Sequence, residues 1–272
     1  MPDGFLTAFA AVTNALFLIA GIYLYLSLVR QIGSRRLATS EGPPEKTFSW
    51  PDVIFALGLA TLFSLNAAAS SSSGSKMVLH TDDLIFNALI SAGVFVFISA
   101  FLSLRGVNVG SLAGFSKLGI WRTVATGGIL LFAAYPLIFL ADLVTQRVLG
   151  GSTSKQGIVE LFSGSQTLQQ RVLIIILAVA IAPMVEEFVF RFYLYGVIKR
   201  YLGRFAGLIA NSILFAAVHA HMPSAAPLFV LGACFTLAYE WSGSILVSMT
   251  MHALFNSLTL VALAFPEFFP QQ

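Results

Sequence analysis

Ile181-Ala-Pro-Met-Val-Glu186-Glu187-Phe-Val-Phe-Arg191 decides how this chain is read. Two carboxylates and a guanidinium lie within a run, Val172 to Ile198, that is otherwise dominated by Leu, Ile, Val, Phe and Ala. An ionisable side chain at the centre of a lipid-embedded helix costs about 2.5–3.5 kcal/mol on insertion scales. Three of them within one and a half turns need a reason, and chemistry is the most direct one.

The composition around this stretch is that of a membrane protein. Of the 272 residues, 57% are hydrophobic and 10% are charged, and mean hydropathy is +0.87. Soluble domains carry about 25% charged residues. With 25 Phe against 15 Lys and Arg, the basic balance reflects charged loops. It does not mark a nucleic-acid surface. The single cysteine, Cys234, allows no intrachain disulfide and no multi-cysteine metal site. It reads as a small core residue.

Eight apolar segments follow one another, at roughly 5–29, 52–69, 84–104, 123–143, 172–198, 205–220, 224–241 and 244–264. A spanning helix needs about 20 residues. The expected fold is therefore all-α, a polytopic integral membrane bundle of about eight transmembrane helices. Only Asp3 is charged ahead of the first segment, and no small-residue cleavage site precedes Arg30, so that segment is expected to be retained as a span. Residues 1–150 form N-terminal spans without a recognisable motif. The motif-bearing core is expected over 168–264.

Loop charges set the expected orientation. Arg30, Arg35, Arg36, Lys46, Arg105, Lys117, Arg122, Lys199, Arg200 and Arg204 fall on one side. Lys76, Arg147, Lys155 and Arg171 fall on the other. The richer side is expected to be cytoplasmic, with both termini opposite. Ser70–Ser75 reads as a flexible linker, and Thr39–Lys46, with Pro43-Pro44, as a punctuated turn. Gln156–Phe162 reads as a short interfacial amphipathic helix. No internal repeat is evident, which argues against a transporter built from paired halves.

Within the central stretch the spacing divides the charges. Glu187 and Arg191 are four apart with the acid on the N-terminal side, the favourable order for an ion pair. Glu186 points about 100° away and is left free to act as a general base. Pro183 interrupts the backbone ladder just before it and could bend the helix toward a wet cavity. The plainer reading of the trio is a polar clamp between helices.

Two further sets share the late spans. His219 closes Phe215-Ala-Ala-Val-His219, and His252-Ala-Leu-Phe-Asn256 places two polar side chains on one helical face. Alone, His219 is a satisfied core histidine as readily as a catalytic one. His252 and Asn256 alone are more simply an interhelical hydrogen-bond pair. His221 reads as interfacial. Converging on one cavity, however, an acid, an imidazole and a His/Asn pair supply a base, a water-orienting group and an oxyanion site. The chain has no His-Glu-x-x-His, no Gly-x-Ser-x-Gly and no aspartate pair in its spans.

Glu186-Glu187-x-x-x-Arg191, Phe215-x-x-x-His219 and His252-x-x-x-Asn256 together resemble the motif series of the CPBP family. That family comprises type II CAAX prenyl endopeptidases and bacterial bacteriocin-processing and self-immunity proteins. The resemblance covers roughly residues 168–264. It implies an intramembrane endopeptidase in which Glu186, assisted by His219, activates water. His252 and Asn256 would stabilise the oxyanion, and Glu187 with Arg191 would support the site. No cofactor is expected. The alternative is a zinc enzyme using Glu186, His219 and His252. Two other readings are a non-catalytic peptide-binding or immunity protein and, third, a proton-coupled transporter. The expected partners are a peptide or protein substrate and membrane lipid, with no nucleic acid. The expected location is the plasma membrane, as a multi-pass protein.

Overall fold

The computed structural model describes residues 2–35, 47–72, 81–149 and 167–265, with positions 162, 164, 165 and 267. The turn over 39–46, residues 73–75 of the serine linker, nearly all of the interfacial helix expected over 156–162, and Arg36, Lys46, Lys76 and Lys155 lie outside them.

Among the described residues all regular structure is helical. Helix α1 spans Pro2–Arg35, α2 Trp50–Ser72, α3 Thr81–Leu104, the short α4 Val109–Ala113, and α5 Ile120–Leu149. A long composite helix, α6, runs over Leu168–Val218. A 3-10 turn, Met222–Ser224, leads into α7, Ala225–Ser242, and α8, Ile245–Ala264, completes the bundle. Helix α5 packs against α1, α7 and α8, while α6 packs against α2, α7 and α8. The protein is a multi-pass helical membrane bundle.

Six helices are long and apolar enough to cross a membrane, and Ala88–Leu104 is a shorter apolar stretch within α3. The difference of two from the eight expected spans has two causes: α3 counts only as the shorter stretch, and two expected segments share one run. Segments 172–198 and 205–220 lie in the single 51-residue run of α6. At about 1.5 Å per residue that run would be near 75 Å long, more than twice a ~30 Å hydrocarbon core. It must break, and it breaks at Gly203, where φ is 86° and ψ 169°. A residue with a Cβ adopts such a positive φ only at a cost. The two arms then fold back on each other. The Arg191 guanidinium carbon comes within 4.1 Å of the Phe215 ring centroid, although the two residues are 24 apart in sequence.

Three of the cations expected on one side, Arg105, Lys199 and Arg204, are paired with acids. At the start of α2, Asp52 is fully buried, accepts from the Ser49 N–H at 2.5 Å and pairs with Arg105 at 2.5 Å. Arg105 also donates to Ser49 Oγ. The Tyr193 hydroxyl donates to the Asp52 carbonyl at 3.1 Å, which ties α6 to this clamp. Nearby, Glu240 at the end of α7 receives Lys199 at 2.6 Å and Arg204 at 2.8 Å. Arg105, Lys199 and Arg204 are thus paired at the helix ends, while the spans between are closely packed with aromatic rings.

Candidate active site

The first arm of α6 starts with a capping box. Thr167 accepts from the Gln170 N–H at 3.2 Å, and Gln170 accepts from the Thr167 N–H at 3.3 Å. The helix is not uniform beyond it. Two π-helical segments, Leu177–Ile181 and Phe188–Leu194, flank a single α-helical stretch, Ala182–Glu187. Isolated π segments of this kind recur at functional sites because they rephase side chains without breaking the helix. The two glutamates sit between them.

Pro183 explains part of this irregularity. In the first π segment the Ala182 N–H reaches back five residues to the Leu177 carbonyl. The next bond in that register would run from residue 183 to Ala178, and proline has no N–H to give. Asn256 fills the position from α8: its Nδ2 donates to the Ala178 carbonyl at 2.8 Å. A helix-breaking residue and an amide on another span thereby satisfy one backbone group between them.

Glu187 and Arg191 form the expected ion pair. Oε1 lies 2.9 Å from Nη1, and both side chains are wholly buried. None of the three guanidinium nitrogens makes an aligned hydrogen bond among the described residues. The cation is held by its charge and by aromatic faces instead. Its central carbon lies 4.1 Å from the Phe215 centroid, 5.1 Å from Phe235 and 5.9 Å from Phe190. Such cation–π contacts gain strength where water is excluded.

The same carboxylate oxygen also receives His252. Nδ1 lies 2.9 Å from Glu187 Oε1, so Nδ1 carries the proton and donates. The imidazole is stacked on Phe235 at 5.1 Å and meets the edge of Phe215 at 5.9 Å. With the ring fixed on three sides, Nε2 is turned to Glu186, 3.9 Å from Oε2. That distance is too long for a direct hydrogen bond.

Glu186 is a third exposed and faces a cavity of about 310 Å³. Its Oε2 is buried and has no hydrogen-bond partner among the described residues. Unsatisfied buried polar atoms are few in folded proteins and call for an explanation. His219 lines the same cavity. Its Nδ1 is 2.7 Å from the Phe215 carbonyl, which only accepts, so Nδ1 donates and Nε2 is left with its lone pair. His221 turns elsewhere and bonds Ser224 Oγ at 2.8 Å.

The structure therefore places Glu186 and His219 in one cavity, with Glu187, Arg191 and His252 packed behind Glu186. Asn256 is committed to Ala178 by one of its two Nδ2 hydrogens. Among the described residues no group of three His, Cys, Asp or Glu side chains is arranged to hold a metal ion.

Two cavity residues escaped the sequence reading. Asn66 of α2 and Ser91 of α3 line the same cavity as Glu186, with Phe63, Ile90 and Val94 of the same helices. Each is a polar residue between apolar neighbours, Leu65 and Ala67 for Asn66 and Ile90 and Ala92 for Ser91, and that was their signal. Neither belongs to a recognisable motif. Their presence means that the N-terminal spans help to shape the site.

Searches of curated proteins and of solved structures gave no match. A family description does match, over the part of the chain that carries Glu186, His219, His252 and Asn256. In agreement with the motif resemblance, residues 168–258 match the protease family described as type II CAAX prenyl endopeptidase Rce1-like.

Proposed function

We propose that this protein is an intramembrane endopeptidase that hydrolyses a peptide bond with a water molecule activated by Glu186. The observation that carries the reading is the shared cavity. A carboxylate with an unsatisfied oxygen and a histidine with a free Nε2 open into one space, and a second histidine is fixed beside the carboxylate. The match to a protease family supports the same reaction class.

In this mechanism the water lies between Glu186 and His219. Glu186 takes a proton as the water oxygen attacks the carbonyl carbon of the scissile bond, and His219 Nε2 accepts the second hydrogen as a hydrogen bond. The carbonyl oxygen becomes an oxyanion. In the imidazolium form, with Nδ1–H kept on Glu187, His252 donates to it through Nε2–H, and so does the Asn256 hydrogen not used by Ala178. When the tetrahedral intermediate collapses, the C–N bond breaks and Glu186 returns its proton to the leaving amine. Glu187 holds the His252 ring in place throughout, and Arg191 balances its charge. Asn66 and Ser91 are the groups placed to hydrogen-bond the substrate backbone.

Proteolysis by the purified protein, measured with and without a strong chelator, tests this reading. The mechanism predicts cleavage of a peptide or protein substrate that survives chelation. Chelator-sensitive cleavage would favour the zinc alternative. Peptide binding without cleavage would favour the non-catalytic one.

A further inference from the structure

A second cavity, of about 500 Å³, opens at the other end of the bundle, between the start of α2, the α4–α5 connection, the α6 bend and the α7–α8 turn. Lys117, Lys199 and Arg200 line it, against a single carboxylate, Glu240. Glu240 is already saturated. It accepts two contacts from Lys199, at 2.8 and 2.6 Å, one from Arg204 at 2.8 Å and one from the Tyr195 hydroxyl at 3.0 Å. Two cations thus share one negative charge. Lys117 and Arg200 are exposed and have no acidic partner among the described residues. The described lining of the cavity therefore carries a surplus of positive charge.

The depth of this cavity follows from its neighbours in sequence. All three tryptophans of the chain stand next to its walls: Trp50 three residues after Thr47, Trp121 four after Lys117, and Trp241 beside Glu240. Tyr201 follows Arg200 and packs on Trp50 at 5.3 Å between ring centroids. Trp50 and Trp121 are 69% and 84% exposed. Exposed Trp and Tyr on a helical bundle mark the headgroup layer of a bilayer. A basic pocket between helices at that depth meets a surface dense in phosphate. Lysine offers phosphate a compact charge, and arginine offers it a two-pronged donor.

We infer that this cavity binds a phosphoryl anion, through Lys117, Arg200 and the one Lys199 hydrogen that Glu240 leaves free. The phosphate arrives either as the headgroup of an anionic phospholipid or as a free ion. The site is separate from the cavity of Glu186 and His219, and the inference does not depend on protease activity.

The test uses the full chain in a neutral detergent and measures saturable binding of soluble dihexanoyl phosphatidylglycerol, dihexanoyl phosphatidylcholine and inorganic phosphate. Phosphatidylglycerol should bind, and binding should weaken as salt screens the charges. The pair Lys117→Gln and Arg200→Gln should weaken it about 30-fold, given roughly 1 kcal/mol per cation. The pair Lys117→Arg and Arg200→Lys, which keeps both charges, should retain it. Phosphatidylglycerol binding tighter than inorganic phosphate identifies a lipid as the source, and equal binding identifies free phosphate. The inference is overturned if neither anion saturates, if phosphatidylcholine binds equally well, or if the Gln pair, verified as folded, binds unchanged. Salt-insensitive binding to the unaltered protein would overturn it without any variant.

Discussion

His252 Nδ1 lies 2.9 Å from Glu187 Oε1, and that same oxygen is 2.9 Å from Arg191 Nη1. One buried carboxylate thus serves two spans. It balances a cation on its own helix and fixes the tautomer of an imidazole on α8. These are different tasks, and substitution can separate them.

Glu187→Ala strands a buried arginine, and breaking a buried pair in this way costs about 3–5 kcal/mol. The paired change Glu187→Leu with Arg191→Met removes both charges and should restore most of that stability. It does not restore an acceptor for His252 Nδ1. Thermal unfolding of the paired variant should therefore approach that of the unaltered protein, while proteolysis stays low by about 10²–10⁴-fold, the scale seen when an orienting carboxylate is lost. Recovery of activity along with stability would show that Glu187 has no role beyond charge balance.

Asn256 and Pro183 form a second separable pair. Asn256→Ala orphans the Ala178 carbonyl, at about 1–3 kcal/mol for an unsatisfied buried group. Adding Pro183→Ala supplies a backbone N–H that can reach that carbonyl, so stability should rise again. Activity should not, because the proposed oxyanion donor is still missing. A double variant as active as the starting protein would make Asn256 structural only.

Gly203 isolates a backbone effect. A Cβ built there has no atom within 4 Å, and its φ of 86° is the obstacle. Gly203→Ala should lower stability by roughly 1–2 kcal/mol through strain alone. The substitution should leave KM for a peptide substrate unchanged, since the bend lies far from the cavity. Unaltered thermal stability would mean that the arms of α6 can meet without a left-handed residue.

Asn66→Ala and Ser91→Ala probe the wall contributed by the N-terminal spans. Each removes one hydrogen-bonding group from the cavity of Glu186. At about 0.5–1.5 kcal/mol per bond, KM for a peptide should rise roughly 2- to 10-fold with kcat affected less. Steady-state kinetics on a single peptide is sufficient. A fall in kcat with unchanged KM would place these residues in the chemical step instead.

Much of this arrangement was legible from spacing. A spacing of four residues from an acid to a base on one helix predicts the Glu187–Arg191 pair, and helical geometry leaves Glu186 to one side. Apolar length located every span. The rest depends on contacts between distant parts of the chain. That Glu187 reaches His252, 65 residues away, follows from packing, and no local pattern encodes it. The two expected segments 172–198 and 205–220 do lie on either side of the bend in α6, but that Gly203 makes the bend was hidden, because a single glycine cannot be told from any other before its φ is known. Asn66 and Ser91 were visible as polar residues in apolar segments, but nothing local linked them to the late motifs.

The central claim is that Glu186 activates the water. Glu186→Gln keeps the side chain's size and removes its ability to accept a proton, and among the described residues Glu186 has no ion pair closer than His252 at 3.9 Å to disturb. Turnover of a peptide by the purified variant, with helical content and thermal unfolding checked in parallel, is the direct measurement. A fall of at least 10²–10⁴-fold in kcat with an intact fold is the predicted result. Turnover within a few-fold of the unaltered protein would contradict it.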